Sequence, residues 1–264
     1  EGMAPHARQS LQGANMKKLL NALSVPLMAA GLFGASLPAQ AADLPVYKKA
    51  PAAVEAWNPW MIRLRVLGVL PDTGGSTVNV GNPIIPALSS PNSGLSMSNQ
   101  VIPELDISYF FTKNVAAELI LGVTRHSITG NGSLTPLPVG KSWLLPPTLT
   151  LQYHFTELGA FKPYIGAGVN YTVFFSQSAA NVPTFVPGAA AVLSTTNLSV
   201  SNAFGAAVQF GFDYMIDRHW GLNVDVKKLW LRPDYTAVVN GAIPVSGRAN
   251  IDPWLVGGGL TYKF

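Results

Sequence analysis

Thr148-Leu149-Thr150-Leu151-Gln152-Tyr153-His154-Phe155 alternates without a break. Successive side chains of a strand point to opposite faces, so Leu149, Leu151, Tyr153 and Phe155 share one face. Thr148, Thr150, Gln152 and His154 share the other. No soluble core is needed to use such a strand: lipid on one side and a polar lumen on the other suffices.

The same period runs outward in both directions. Upstream, Ile62, Leu64 and Val66 alternate with Arg63 and Arg65. Leu105, Ile107, Tyr109 and Phe111 oppose Glu104, Asp106 and Ser108, and Val115, Leu119, Leu121 and Val123 oppose Glu118, Thr124 and His126. Downstream, Ile165, Val169, Tyr171 and Val173 oppose Gly166, Gly168 and Asn170. Phe204, Val208, Phe210, Phe212 and Tyr214 oppose Gln209, Gly211 and Asp213. Leu222, Val224 and Val226 oppose Asn223, Asp225 and Lys227, with the phase blurring at Lys228, where a bulge is expected. A final strand from about Ile251 to Phe264 turns Trp254, Val256, Leu260 and Tyr262 outward. The expectation is an all-β fold, an eight-stranded antiparallel transmembrane β-barrel, since single-chain bacterial barrels use even strand numbers.

Connection lengths agree. Thr112-Lys113-Asn114, residues 156–160 and Asp217-Arg218-His219 are short. The segments near 71–100, 128–144, 176–199 and 233–250 are long and rich in Gly, Pro, Ser and Asn. Short periplasmic turns and long external loops are the asymmetry of an outer-membrane barrel, whereas a soluble β-sandwich predicts mixed loop lengths and fewer exposed aromatics.

Composition points the same way. Of 264 residues, 48% are hydrophobic and only 11% are charged, well below the usual charged share of a soluble domain. With no apolar helical span after the N-terminal region, a closed barrel is the remaining way to pair every backbone group inside hydrocarbon. The absence of cysteine removes disulfides and thiol chemistry. A net charge of +4 carried by scattered Lys and Arg gives no nucleic-acid footprint.

Residues 16–41, MKKLLNALSVPLMAAGLFGASLPAQA, read as a signal peptide. Lys17 and Lys18 precede an apolar run, and Ala39-Gln40-Ala41 supplies a small-x-small cleavage site. Residues 1–15 read as an upstream extension, and residues 42–264 as the barrel, placed in the cell outer membrane.

Several motifs resemble those of the OmpW family. Leu145-Pro146-Pro147-Thr148-Leu149 with Gln152, Tyr153 and Phe155 is similar to its LPPT…QY.F motif, and residues 161–172 resemble its central strand. Asp213-Tyr214-Met215, Asp252-Pro253-Trp254 and the terminal Phe264 follow in order. The resemblance implies an eight-stranded barrel linked to uptake of small, largely hydrophobic compounds, alkanes among them in some members. Leu260, Tyr262 and Phe264 resemble the terminal signal read by the barrel assembly machinery. The other partners expected are outer-membrane lipid and small hydrophobic solutes, and no nucleic acid.

Phase also sorts the lumen. Arg63, Arg65, Glu104, Asp106, Glu118, Asp213, Asp225 and Lys227 point inward in the lower and middle barrel and should form a charged network, because unpaired charges in a narrow lumen are costly. Leu67, Val69, Ile102, Phe174, Leu229, Leu231 and Leu255 point inward nearer the external end and should line an apolar funnel, open to the outside, for a hydrophobic ligand that then leaves sideways into the membrane. His126 and Ser127 are adjacent and so face opposite sides, and no HExxH or clustered metal-ligand spacing is present. No catalytic residue, metal or cofactor is expected, and Gly166-x-Gly168 and Gly257-Gly258-Gly259 read as glycines making room in a narrow barrel. The alternative function is a non-transporting envelope protein: a structural element, surface antigen, or receptor for phage or bacteriocin.

Overall fold

The computed structural model describes residues 57–81 and 88–264. The expected upstream extension and signal peptide lie outside them. In chain order the strands are β1 (Trp60–Leu70), β2 (Asn79–Val80), β3 (Ser93–Met97), β4 (Gln100–Phe110), β5 (Val115–Gly122), β6 (Thr124–Gly132), β7 (Pro138–Leu145), β8 (Thr148–His154) and β9 (Phe161–Ala179). They continue as β10 (Thr184–Val186), β11 (Ala191–Leu193), β12 (Thr195–Val200), β13 (Ala203–Met215), β14 (Trp220–Leu231), β15 (Asp234–Val239), β16 (Ile243–Arg248) and β17 (Trp254–Lys263).

Eight of these close into a wall in the order β1–β4–β5–β8–β9–β13–β14–β17, and β17 returns to β1 through Met61↔Lys263 to Leu70↔Trp254. Every neighbouring pair is antiparallel. Closure leaves no free edge, which is the condition for a sheet surrounded by lipid.

The alternation that predicts the wall is obeyed side chain by side chain. On β8, Leu149 and Leu151 are more than half exposed on the outside, while Thr148, Thr150, Gln152 and His154 are buried inside. Aromatic side chains ring the outer face at the end with the short turns. Trp60 and Tyr109 meet at 5.0 Å, Tyr153 and Phe155 at 5.1 Å, Trp220 and Tyr262 at 4.8 Å, and Tyr262 and Phe264 at 4.9 Å. A second set, including Trp143 with Phe175 and Tyr171 with Phe204, marks the opposite end. Two aromatic girdles flanking an apolar band are what the two water–lipid interfaces select.

Two expectations need correction. The ladders of β14 run through Lys228 without a shift, from Val208↔Lys228 on one side to Lys228↔Trp254 on the other, so there is no bulge. The phase blurs because Lys228 is an outward residue with a polar tip. Its ammonium lies 5.0 Å from the Trp254 ring centre and donates to the Asp252 carbonyl, an amphipathic side chain at the girdle.

The long connections are also more than loops. They fold into two further sheets above the wall, β9–β7–β6–β3 and β12–β15–β16–β2, with the hairpin β10–β11 beside them. β9 has 19 residues, about twice the 9–11 that a tilted strand needs to cross a bilayer, and its upper part carries the first of these sheets. Between them lies an apolar core that includes Val78, Leu95, Leu137, Val186, Leu198 and Tyr235. Turn-forming residues are frequent in these segments because the hairpins are short, and they hide strands of two to nine residues between them.

Candidate functional site

The lumen is filled in two layers. β1 sets both: Arg63 and Arg65 point inward below, and Leu67 and Val69 point inward above.

In the lower layer all eight charged residues singled out by phase converge. The Arg63 guanidinium grips Asp213 through two bonds, Nε to Oδ1 at 3.0 Å and Nη2 to Oδ2 at 2.7 Å, and its Nη1 also meets Glu118. Arg65 Nη2 sits 2.9 Å from Glu104 and 2.5 Å from Asp106, and Nη1 is 3.6 Å from Asp225. Lys227 bridges Glu104 at 3.0 Å and Asp225 at 2.7 Å. Five carboxylates thus surround three cations, and all are buried.

Neutral groups finish the layer: phase places Gln152, Gln209 and Asn223 inward, whereas Tyr164 and Thr261 were not singled out in the sequence. Gln152 and Gln209 donate to Glu118 at 2.6 and 2.8 Å. The Tyr164 hydroxyl donates to Asp225 at 2.9 Å, and Asn223 and Thr261 donate to Asp213 at 2.9 and 2.6 Å. Tyr164 reaches across because Gly211 stands beside it: a Cβ there would lie 2.5 Å from the phenolic oxygen and 2.7 Å from the Val224 carbonyl. Gly166 makes similar room between Gln152 and Gln209. Chemically the layer is a plug. An ion crossing it has to displace paired charges, and an apolar molecule has no way to replace their hydrogen bonds.

Above Glu104 and Lys227 the filling turns apolar. Leu67, Val69, Leu229 and Leu255 cluster with Ala207, and Ile102 packs against them. Leu231 packs in the upper core but also lines the cavity beside these residues, whereas Phe174, expected in the same funnel, belongs to the upper core. Nor is the upper lumen an open funnel. The outer sheets cap it, and among the described residues small apolar cavities remain: an inner one of about 50 Å³ over the plug, a middle one of about 20 Å³ beside Phe174, Leu198 and Val200, and an outer one of about 30 Å³ among Val78, Leu88 and Leu193. Ile251 lines both inner and middle cavities, and Tyr235, Leu95 and Val139 line both middle and outer ones. Tyr235 donates its hydroxyl to the Thr77 carbonyl at 2.9 Å, and burial raises its phenol above the ordinary value.

The wall beside the inner cavity has a seam. Pairing of β5 with β8 stops at Ile120↔Thr148, and pairing of β6 with β7 begins at Thr124↔Leu144. Leu121, Gly122 and Val123 therefore face Leu145, Pro146 and Pro147 without ladder bonds. The two prolines have no N–H to offer. Gly122 and Pro146 both line the inner cavity.

Asp252 ties the upper end of β14 to the segment that leads into β17 and was legible only as part of a motif. Held at φ 28°, it accepts from the Leu231 N–H at 2.7 Å and from Arg232 at 2.8 and 3.0 Å. His126, by contrast, is spoken for structurally: Nδ1 donates to the Ser98 carbonyl at 2.6 Å and Nε2 meets Thr124 at 3.1 Å.

Comparison with known proteins adds to this geometry. The profile of the OmpW family matches residues 59–264. The uncharacterized outer-membrane protein y4mB of Sinorhizobium fredii is 50% identical over 229 residues, covering 86% of this chain and 90% of that protein. The dibenzothiophene metabolism operon protein DoxH of Pseudomonas sp. strain C18 is 27% identical over 199 residues, covering 75% and 85%. The crystal structure of the outer membrane protein OprG from Pseudomonas aeruginosa has the same fold, with a TM-score of 0.66 at 24% identity, covering 78% of this chain and 95% of that one.

Proposed function

Because the chain belongs to the OmpW family and is an outer-membrane barrel, we propose that it passes small, largely hydrophobic molecules from outside into the membrane through the upper half of its lumen. The observation that carries this reading is the chain of three apolar cavities ending on the charged layer. Each step inward lets a solute bury its own apolar surface, worth roughly 25 cal/mol per Å². The ligand-contacting residues are Leu67, Val69, Ile102, Leu229, Leu231 and Leu255 around the inner cavity, with Phe174 above.

The cavities are smaller than a solute of several carbons, so passage requires the outer sheets to breathe at the necks around Tyr235 and Ile251. Below the inner cavity the plug stops an apolar molecule. The seam between residues 121–123 and 145–147 then supports a sideways exit, since separating the wall there breaks no ladder hydrogen bond. That the relative DoxH is named for a dibenzothiophene metabolism operon fits an apolar aromatic cargo. In this reading lipid surrounds the barrel, and the assembly machinery reads Leu260, Tyr262 and Phe264, which lie on or near the lipid face at its lower end.

Uptake of an apolar tracer by cells carrying Leu67→Asp or Phe174→Asp tests the proposal. Correctly assembled barrels with slowed uptake support it. Unchanged uptake in both variants contradicts it and favours an inert envelope barrel that acts through its outer sheets.

A further inference from the structure

The lower end of the barrel holds a second concavity, on the other side of the plug from the apolar cavities. It measures about 460 Å³ and opens between the short turns at residues 156–160 and 216–218. Short turns mark the periplasmic end of such barrels. Its volume is in the range of small-molecule sites, whereas the upper cavities are not.

Its lining combines two chemistries. Met61, Phe110 and Met215 give apolar walls, and the first two side chains are buried inside the wall. Lys162 and Lys263 bring in two ammonium groups. Lys162 donates to the Thr156 carbonyl at 3.1 Å, and Lys263 lies 5.0 Å from the centre of the Phe110 ring. Among the described residues neither has a carboxylate within salt-bridge distance. Two aspartates also line the concavity, but both are engaged. Asp213 is held by Arg63, Asn223 and Thr261, and Asp217 accepts from the backbone N–H groups of His219 and Trp220 at 2.7 Å each. Arg218 stands on the rim.

We propose that this periplasmic mouth binds an amphiphilic carboxylate, its head between Lys162 and Lys263 and its apolar body against Met61, Phe110 and Met215. A cation is repelled. A neutral apolar molecule desolvates two ammonium groups and gives nothing back. A small inorganic anion meets the ammonium groups but covers none of the apolar surface that Met215 and Ile216 leave exposed at the mouth. A carboxylate with a short chain satisfies both halves of the lining, and charge-assisted N–H···O bonds are the strong kind. The site is independent of the upper lumen, since the plug separates them.

The methionines report on it directly. In phosphatidylcholine nanodiscs, with ¹³C-labelled methionine methyl groups, hexanoate should shift Met61 and Met215 saturably and leave Met97, in the outer sheets, unmoved. Hexan-1-ol and inorganic phosphate should each need at least tenfold higher concentration. Lys162→Gln with Lys263→Gln should weaken hexanoate binding at least tenfold, with an unchanged Met97 signal reporting an intact fold, and Lys→Arg at both positions should restore it. Equal response to hexanol, equal response to phosphate, or full binding by the double glutamine variant would each overturn the proposal.

Discussion

From Lys227 downward the wall encloses the eight charged side chains of the paired network, Lys227 included, and above it the same strands enclose leucine, valine and isoleucine. The switch happens within single strands. Along β1 the inward residues run Arg63, Arg65, Leu67, Val69, and along β14 they run Asn223, Asp225, Lys227, Leu229, Leu231. Period two therefore settles which side of the wall a residue takes, while the identity of each inward residue settles what its level of the lumen does. In the lower half each buried charge is held by its partners. The upper half holds small apolar voids, and the proposed path requires this half to open.

The largest test of that contrast is at Arg63. Arg63→Met leaves Asp213 and Glu118 without their shared cation, and breaking a buried pair in this way costs about 3–5 kcal/mol. Urea unfolding followed by tryptophan fluorescence should show this loss. A neutral result would mean that the charged layer is not what holds the lower lumen.

Asp252 tests the tie at the upper end of β14. Asp252→Ala removes the acceptor for Leu231 N–H and for Arg232, and hydrogen bonds to a charged group are worth about 1.5–3 kcal/mol. The same unfolding assay should register a loss of that order, with faster amide exchange confined to the outer sheets. Exchange that quickens equally in the lower wall would dissolve the distinction.

A smaller effect is expected at the neck. Tyr235→Ala should speed apolar tracer uptake about threefold, equivalent to removing ~0.7 kcal/mol from the barrier, and should leave ionic conductance in planar bilayers at baseline. A rise in conductance would show that the plug does not seal.

The smallest concerns a turn outside the membrane. Backbone N–H groups of Trp220 and His219 hold the Asp217 carboxyl below its ordinary value. A depressed carboxyl contributes stability that is present above its unfolded-state value and is lost as pH falls through the lower folded value. The Trp220 amide shift should therefore titrate with a midpoint below that of an ordinary aspartate. A midpoint at or above it would contradict the capping role.

The wall was legible because lipid imposes one rule at every outward position. Leu149, Tyr153, Val208 and Leu222 all obey it, and the charged lumen followed from the opposite phase of Arg63, Glu118 and Asp225. Tyr164 was missed although its phase is inward, since tyrosine in a barrel reads first as girdle. Only the fold shows that Gly211 gives its ring room. The outer sheets were hidden for another reason. Their strands are short, their apolar residues are spread over four segments distant in sequence, and the core of Val78, Leu137, Val186 and Tyr235 exists only once those segments meet. The open funnel expected at the external end failed on the same point, because a cap assembled from remote segments leaves no local period to read.

The most direct measurement is a crystal of the detergent-solubilised barrel soaked with 1-bromonaphthalene and recorded at the bromine absorption edge. Anomalous density should appear among Leu67, Leu229 and Leu255 or at the seam beside Gly122 and Pro146, and none between the Lys227–Glu104 pair and Asp213. Bromine among Arg63, Glu118 and Asp213, or a continuous column of ordered water joining Tyr235 to Lys263, would contradict the division of the lumen into a path and a plug.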